Sequence, residues 1–436
     1  MLIGLGFTVI GIVFLMALGM PVAMSFGAGA IVVLSLYNVD PTWAVSQALA
    51  ILSGFNFLAL PSYILLGAII GASGMAKRLS DFTTAVVGRL KGGLGIAIIM
   101  ANGVFGAMSG SALSALAGMG KAFLPDMENA GYPKSYAIAL MIPSAVLSCL
   151  IPPSGFMIIF GFLGELSIAK CFLAGAIPGI ILMVFLIATH LVMSRRIPTL
   201  YIPPKVSLGV RFKAIAKTFY RNGLTLLIPV LVLGSIYGGF SSVVESAGLG
   251  VLFALIISVL IYRTLTIKMA GHLLVDVSKL VGSIFAIFLF FMVLSRVLIV
   301  GQVSDTILAF MLTISTNKWV LMAFLNILML FMGMIMDDSS TFVVATIILL
   351  PIARAIGFNP YHFAAIATVN LELGLITPPV APLLYLGGRI AGDMPLSKYV
   401  KPVLVFLATS FIPTLLITIF IPKVATFLPS IFSRGG

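Results

Sequence analysis

Charge is what this sequence has least of. Across 436 residues only 8% are Asp, Glu, Lys or Arg, while 61% are hydrophobic, a balance that no soluble globular domain of that length approaches. Histidine is scarce too: His190, His272 and His362 are scattered near the ends of apolar segments. With no HExxH, no Ser-His-Asp order, no DDxxD and no GxxxxGK[ST], the chain lacks the parts of an intramembrane enzyme or an ATP-driven pump. Asp337-Asp338 comes nearest to such a motif but lacks the later Asp a diphosphate site needs. The two cysteines, Cys149 and Cys171, show no CxxC or Cys/His spacing and read as small packing residues. Acidic residues number 12 against 25 Lys and Arg, a formal charge of +13. Such an excess can mean nucleic acid, but here the basic residues sit between apolar runs, the pattern of positive cytoplasmic loops, and no nucleic-acid partner is expected.

What is there is apolar chain in runs that suit a lipid bilayer. Runs at roughly 2–18, 20–37 and 46–73 are long enough to cross about 30 Å of hydrocarbon, the third carrying a Leu60-Pro61-Ser62 break. The N-terminal run has no charged n-region and no cleavage site, so it reads as a retained helix. Lys77, Arg78, Arg89 and Lys91 form the first basic cluster. Residues 92–125 are then too many for one span of about 20 residues and too few for two spans with a water-exposed loop. Their Gly- and Ser-rich middle suggests a re-entrant helical hairpin, since irregular backbone at that depth survives only inside protein or along a cavity. A crossing at 136–161 follows, broken by Leu150-Ile151-Pro152-Pro153-Ser154, and then a run at 171–193.

The basic stretch 194–222 holds Arg195, Arg196, Lys205, Arg211, Lys213, Lys217 and Arg221 and reads as a cytoplasmic connector; a lipid-docking arm is the alternative. It divides a first repeat, 1–193, from a second, 223–436. Runs at 223–238, 246–262 and 280–300 lead to a second over-long stretch at 319–352, a second broken crossing at 361–388 and a last helix at 402–422. A gapless shift that lays Pro125 on Pro351 also lays Leu124 on Leu350, Gly131 on Gly357, Pro152-Pro153 on Pro378-Pro379 and Gly161 on Gly387. Pro and Gly fix backbone shape, so the copies are alike in geometry more than in side chains. If both over-long stretches turn back, 19 of the 25 basic residues fall on the cytoplasmic side. The outer six are Lys170, Arg296, Lys318, Arg354, Lys423 and Arg434. The hairpins then enter from opposite faces, an all-α inverted-topology repeat of the kind that builds one central site in secondary transporters. Both chain ends are expected to be periplasmic.

Asp337 and Asp338 lie at the expected tip of the second hairpin, with no Lys or Arg between Lys318 and Arg354. Ionisable groups at membrane depth point to an ion or substrate path, and Ser339, Ser340 and Thr341 add oxygens suited to sodium; a tip that merely reaches water is the alternative. At the first tip Ser109, Ser111 and Ser114 carry no charge, so carbonyls freed near Gly106 and Gly110 would do most of the coordinating, unless these serines only pack between helices. The Pro152-Pro153 and Pro378-Pro379 pairs remove amide donors and leave half-helix ends pointing into the protein. Sodium is expected at Ser109, Gly110, Ser111, Ser114 and Pro152, and at Asp337, Asp338, Ser339, Ser340, Thr341 and Thr377. Substrate is expected at Ser111, Ser154, Ser339, Asn370, Thr377 and Pro378. Glu372 either faces the site or pairs with a basic group. No catalytic residue and no organic cofactor are expected.

At these residues the chain resembles the large membrane subunit, the DctM-like component, of the tripartite ATP-independent periplasmic (TRAP) transporters. The likeness covers essentially the whole length. It rests on Gly106 to Ser111 (GAMSGS), Pro125, Ala130-Gly131-Tyr132, Leu150 to Ser154 (LIPPS) and Ile168 to Gly179. In the second half it rests on Leu349 to Gly357, His362-Phe363 and Asn370 to Val380 (NLELGLITPPV). The resemblance implies a sodium-coupled importer of an organic acid, such as a C4-dicarboxylate or sialic acid, working as an elevator in the bacterial inner membrane. It implies two partners, a small four-helix membrane subunit, expected as a separate polypeptide, and a soluble periplasmic substrate-binding protein. The family commonly carries a single Asp at the second tip and a glycine after ITPPV; here Asp338 joins Asp337 and Ala381 follows Val380. A stand-alone sodium- or proton-coupled carrier of the related divalent-anion type is the alternative, and a channel suits paired hairpins less well.

Overall fold

The computed structural model describes residues 7–8, 11–12, 14–16, 18–88, 90–201, 207–336 and 338–432, with only the backbone of Leu208 and Arg211. Arg89, Lys205, Asp337 and Arg434 therefore lie outside the described residues, as does part of the run at 2–18. Every regular element among the described residues is helical, and nine helices are long and apolar enough to cross a membrane.

The first part runs α1 (Val22–Tyr37), α2 (Pro41–Leu52), α3 (Ala59–Ala72) and α4 (Met75–Val87). The break expected at Leu60-Pro61-Ser62 falls earlier. The chain leaves helix at Ser53-Gly54, passes a short 3-10 turn at Phe55–Leu58, and carries Pro61 in the first turn of α3. A proline is harmless there, because first-turn amides have no partner within the helix. The hairpin follows as α5 (Gly93–Ser109) and α6 (Ala112–Asn129), with Pro125 inside the second arm. The broken element is α7 (Lys134–Ala145), the single turn α8 (Leu147–Leu150) and α9 (Gly155–Leu163), and α10 (Ile168–Ser194) closes the first half.

The basic stretch is only partly a connector. Helix α11 (Leu208–Tyr237) starts within it, capped by the Ser207 side chain, which accepts from the Val210 amide at 3.5 Å. Lys213, Lys217 and Arg221 thus project from an exposed helical end. After α12 (Val243–Leu255), α13 (Ile267–Val300) has 34 residues, far longer than the run at 280–300. At about 1.5 Å per residue it measures about 51 Å, so it extends well past a hydrocarbon layer of about 30 Å. Then come α14 (Val303–Ile314), the second hairpin as α15 (Lys318–Ile335) and α16 (Asp338–Val344), and a π turn at Ala345–Leu349 leading into α17 (Leu350–Ala355). The second broken element is α18 (Pro360–Leu375) and α19 (Pro382–Ile390). Helices α20 (Val400–Phe406), α21 (Ile412–Phe420) and α22 (Lys423–Ile431) end the chain.

Small residues let these helices approach closely. A side chain at Gly67 of α3 would stand 2.9 Å from the Cα of Ser109, and one at Gly106 would fall on the backbone of Ser148. In the second half a Cβ on Gly374 would lie 2.7 Å from the Cα of Gly333. Between lipid-exposed helices there is little hydrophobic drive to associate, so such close contact supplies the attraction instead. One buried asparagine ties each hairpin to its broken helix. Asn102 Nδ2 donates to Ser144 Oγ at 2.8 Å in the first half, and Asn370 Nδ2 donates to Asn326 Oδ1 at 2.7 Å in the second. The halves meet where Phe156 of α9 stacks on Phe342 of α16, ring centroids 4.3 Å apart, and where Arg354 Nη2 donates to the Gly164 carbonyl at 2.9 Å. Helix α13 packs mainly on α1, α2 and α3 and also touches α14 and α16.

Candidate functional site

The first hairpin turns in two residues. Gly110 closes α5 in the left-handed conformation, φ 60°, and its amide bonds back to Gly106 O at 2.9 Å. Ser111 then goes extended and caps α6 by accepting from the Ser114 amide at 3.5 Å. Opposite the tip, Ile151 to Ser154 leaves helix, and prolines at 152 and 153 leave no amide to extend α8. Ser154, fully buried, caps α9 by accepting from the Met157 amide at 3.3 Å. The tip and the break are joined by backbone, with the Gly155 amide donating to Gly110 O at 3.1 Å. A Cβ on Gly110 would stand 2.8 Å from Gly155 N and 3.1 Å from Pro153 O, so only glycine fits. Two helix N-termini and two helix C-termini therefore meet at Gly110. Together they offer amides that suit anions and carbonyls that suit cations. Ser109 Oγ is buried there and makes no hydrogen bond within the described residues.

The second hairpin repeats the contact with other side chains. Met336 is extended, Asp337 lies outside the described residues, and Asp338 opens α16, where the helix dipole favours its carboxylate. Val380 N donates to Met334 O at 3.3 Å, joining this tip to the break at Pro378-Pro379. Ser340 and Thr341 are buried and Ser339 is half-buried. The Thr377 hydroxyl is committed to its own helix, donating to Leu373 O at 2.6 Å. Ala381, 1% exposed, stands in the left-handed region with φ 37°.

Ser109, Gly110, Ser111, Pro152 and Ser154 thus come together, and Asp338, Ser339, Ser340, Thr341, Thr377 and Pro378 surround the second tip. Ser114 stands one turn past the first tip and lines a cavity of about 620 Å³ between α3, α4 and α6. Asn370 is placed otherwise. It lies two turns before the break, and its Nδ2 is taken up by Asn326, clamping the hairpin, while its buried Oδ1 makes no hydrogen bond among the described residues. The sequence reading passed over Asn102, Ser144 and Asn326, although the shift that aligns the proline pairs also lays Ser144 on Asn370. Glu372 is 1% exposed, and among the described residues it pairs with no basic group; the Cys149 thiol is its one hydrogen-bonding neighbour. Its polar neighbours are Asp338 and Cys149, which brings the middle of the second break close to α8 of the first. No group of three His, Cys, Asp or Glu among the described residues has the spacing of a metal site. Two of the three histidines are tied into the fold: His190 bridges Tyr136 and Gly92 O, each at 2.9 Å, and His362 donates to Thr418 O at 2.7 Å, while His272 is exposed.

On the rim of the 620 Å³ cavity, Lys77 of α4 pairs with Asp126 of α6 at 2.6 Å and with Asp81 at 3.5 Å. Partial burial works against its charge, but the two carboxylates outweigh that and hold the ammonium above the ordinary lysine value. A second polar cavity, about 370 Å³, lies between the α13–α14 corner, α17 and the chain after α9. It occupies the matching place in the second half.

A family profile described as the tripartite ATP-independent periplasmic transporter, DctM component, matches residues 9–424. The sialic acid TRAP transporter large permease protein SiaM of Vibrio cholerae is 32% identical over 96% of this chain and 96% of its own length. The C4-dicarboxylate TRAP transporter large permease protein DctM of Pseudomonas aeruginosa is 30% identical over 86% of each. The crystal structure of the YdaH transporter of Alcanivorax borkumensis shares the fold with a TM-score of 0.59, covering 91% of this chain and 98% of that one at 14% identity.

Proposed function

The chain belongs to the DctM component of the tripartite ATP-independent periplasmic transporters, so it is a multi-pass transporter permease of the bacterial inner membrane and not an enzyme; on that premise we propose that it imports an organic acid by sodium symport. The substrate class is a carboxylate of the kind named for its relatives, a C4-dicarboxylate or sialic acid, delivered by a periplasmic binding protein. A small membrane subunit completes the permease and covers part of the exposed apolar face of the long helices. Each hairpin tip, with the break opposite it, holds one sodium: Ser109, Gly110, Ser111 and Pro152 in the first, Asp337 with Ser339 to Thr341 and Thr377 in the second. The substrate sits between the tips near Ser154 and Pro378.

The observation that carries this reading is the pair of backbone bonds, Gly155 N to Gly110 O at 3.1 Å and Val380 N to Met334 O at 3.3 Å. They lock each hairpin to its break, so helix ends suited to ions move as one body, as an elevator requires. The inverted topology is supported by the distribution of basic residues, and the cavity reaching Ser114 and Lys77 is then cytoplasmic. Uptake of candidate acids into proteoliposomes containing both membrane subunits, with the binding protein added and a sodium gradient imposed, tests the proposal. Uptake that needs both the gradient and the binding protein is expected; uptake without the binding protein would favour the stand-alone divalent-anion carrier. Strong outside labelling of Lys205→Cys in intact cells would overturn the topology.

A further inference from the structure

We propose that the cavity of about 370 Å³ at the α13–α14 corner is a receiving site for a small organic anion, with Arg296 as the residue that holds its carboxylate. The choice of substrate class and of the outer membrane face rests on the function proposed above. The volume falls in the range of about 300–1,000 Å³ typical of small-molecule pockets.

Arg296 lines this cavity from the last turns of α13, half-buried in an otherwise apolar stretch. Among the described residues it makes no ion pair, no hydrogen bond and no contact with an aromatic face. A guanidinium presents five N–H donors in a planar fork that fits a carboxylate, and holding it half-buried without a partner is costly. Arg354 lines the same space and spends one nitrogen on Gly164 O at 2.9 Å, so the rest of its fork remains for a second contact. Ser295, Gln302 and Ser304 add neutral hydrogen-bonding groups.

Two carboxylates on the lining, Glu165 and Asp305, balance the two arginines in formal charge but stand apart from them. Glu165 and Asp305 are exposed, neither pairs with an arginine, and Asp305 sits in the first turn of α14, where the helix N-terminus favours it. The matching cavity of the first half differs in its cations: Lys77 is already held by Asp126 at 2.6 Å and by Asp81 at 3.5 Å, Lys121 is exposed, and no arginine among the described residues lines that space. Two of the six basic residues that the topology leaves outside converge on one cavity. It lies between the α13–α14 corner, the end of α9 and the arm that follows the second tip, elements that the proposed elevator would shift relative to one another. An acid released by a binding protein meets this cavity before it reaches the tips.

The test reads the field of the cavity apart from transport. In the two-subunit permease in neutral-lipid vesicles, Ser304→Cys is labelled with a sulfonate-bearing and a trimethylammonium-bearing methanethiosulfonate; Cys149 and Cys171 are fully buried and give little background. The anionic reagent is expected to react several-fold faster than the cationic one. Arg296→Gln should bring that ratio close to one, Arg296→Lys should keep part of it, and millimolar succinate should slow labelling only when Arg296 is present. In uptake, Arg296→Gln should raise the half-saturation for the acid about tenfold and leave that for sodium unchanged. A ratio unmoved by both substitutions overturns the proposal, as does a preference that succinate does not compete but anionic lipid does. If no acid is transported while the ratio behaves as described, the assigned function fails and the anion site stands.

Discussion

The two hairpin tips are each tied by a backbone hydrogen bond to the break opposite, and they differ in turn geometry and in chemistry. The first turns on Gly110 and shows only serines and carbonyls; the second has methionines in its approach and three acidic residues, Asp337, Asp338 and Glu372, in or beside it. Under the proposed function, a cation at the first tip would be held by neutral oxygens, whereas at the second it would meet formal charge. Two adjacent carboxylates in a low-dielectric site repel one another unless a cation lies near them. The second tip is therefore where loss of the ion should be felt most. The largest effect is expected from Asp337→Asn, which should abolish sodium-driven uptake with the two-subunit complex still assembled, while Asp338→Asn should be milder. Neighbouring positions at a turn point in different directions, and the gapless shift lays Asp337, not Asp338, on Ser111. A dead Asp338→Asn beside an active Asp337→Asn in proteoliposomes would exchange the two roles.

The first tip depends on shape where the second depends on charge, and Gly110→Ala measures that. The substitution adds a Cβ 2.8 Å from Gly155 N on a residue whose φ is 60°, so steric conflict with backbone adds to left-handed strain of about 1–2 kcal/mol. A total cost of about 2–4 kcal/mol is expected, read as a lowered midpoint of thermal unfolding, with uptake reduced at least tenfold. An unchanged midpoint would mean that the tip relaxes away from the break. Ser111→Ala ranks next: it should raise the half-saturation for sodium several-fold and cost about 1 kcal/mol as a lost helix cap. Identical sodium dependence in that variant would remove Ser111 from the site.

Residues that act on backbone shape are also what made the architecture legible. The two proline pairs mark where helix ends at Ile151 and Ile376, and Gly110 marks the first turn, because these residues act locally and need no partner. Features set by tertiary contact were harder to read. The basic residues of α11 look like a connector because charge masks a helix whose exposed face needs no apolar stripe. The Ser53-Gly54 break is hidden in an unbroken apolar run, while Pro61, the expected breaker, falls where helices tolerate proline. The Asn102–Ser144 and Asn326–Asn370 clamps pair residues more than forty positions apart, and only the repeat shift hints at them. For Glu372 the sequence left two readings, and the absence of any basic partner among the described residues removes one. Since its carboxyl has no cation beside it and only the Cys149 thiol as a hydrogen-bonding neighbour, Glu372→Gln should leave the unfolding midpoint unchanged or higher, with lower uptake. A large loss of stability would instead make the carboxyl structural.

The smallest expected effect bears most directly on the comparison, because it asks whether the second break is strained where the first is not. Ala381 falls on Gly155 under the shift that aligns the proline pairs, but it occupies the left-handed region with φ 37° and ψ 66°, and it is buried. An L-residue with a Cβ pays about 1–2 kcal/mol there, whereas glycine pays mainly the extra chain entropy of about 0.5–1 kcal/mol. Ala381→Gly should therefore stabilise the folded protein by a net of about 0.5–1 kcal/mol, a rise of about one or two degrees in the unfolding midpoint for a chain this large. The reciprocal pair is then diagnostic: Gly110→Ala at the first tip lowers the midpoint and Ala381→Gly at the second break raises it, although both exchange the same two residues. Uptake measured on Ala381→Gly separates two uses of the strain. If alanine at this position holds the break in a shape the sodium site needs, the more stable variant will bind sodium more weakly. If its half-saturation for sodium is unchanged, the strain is a local defect that transport tolerates.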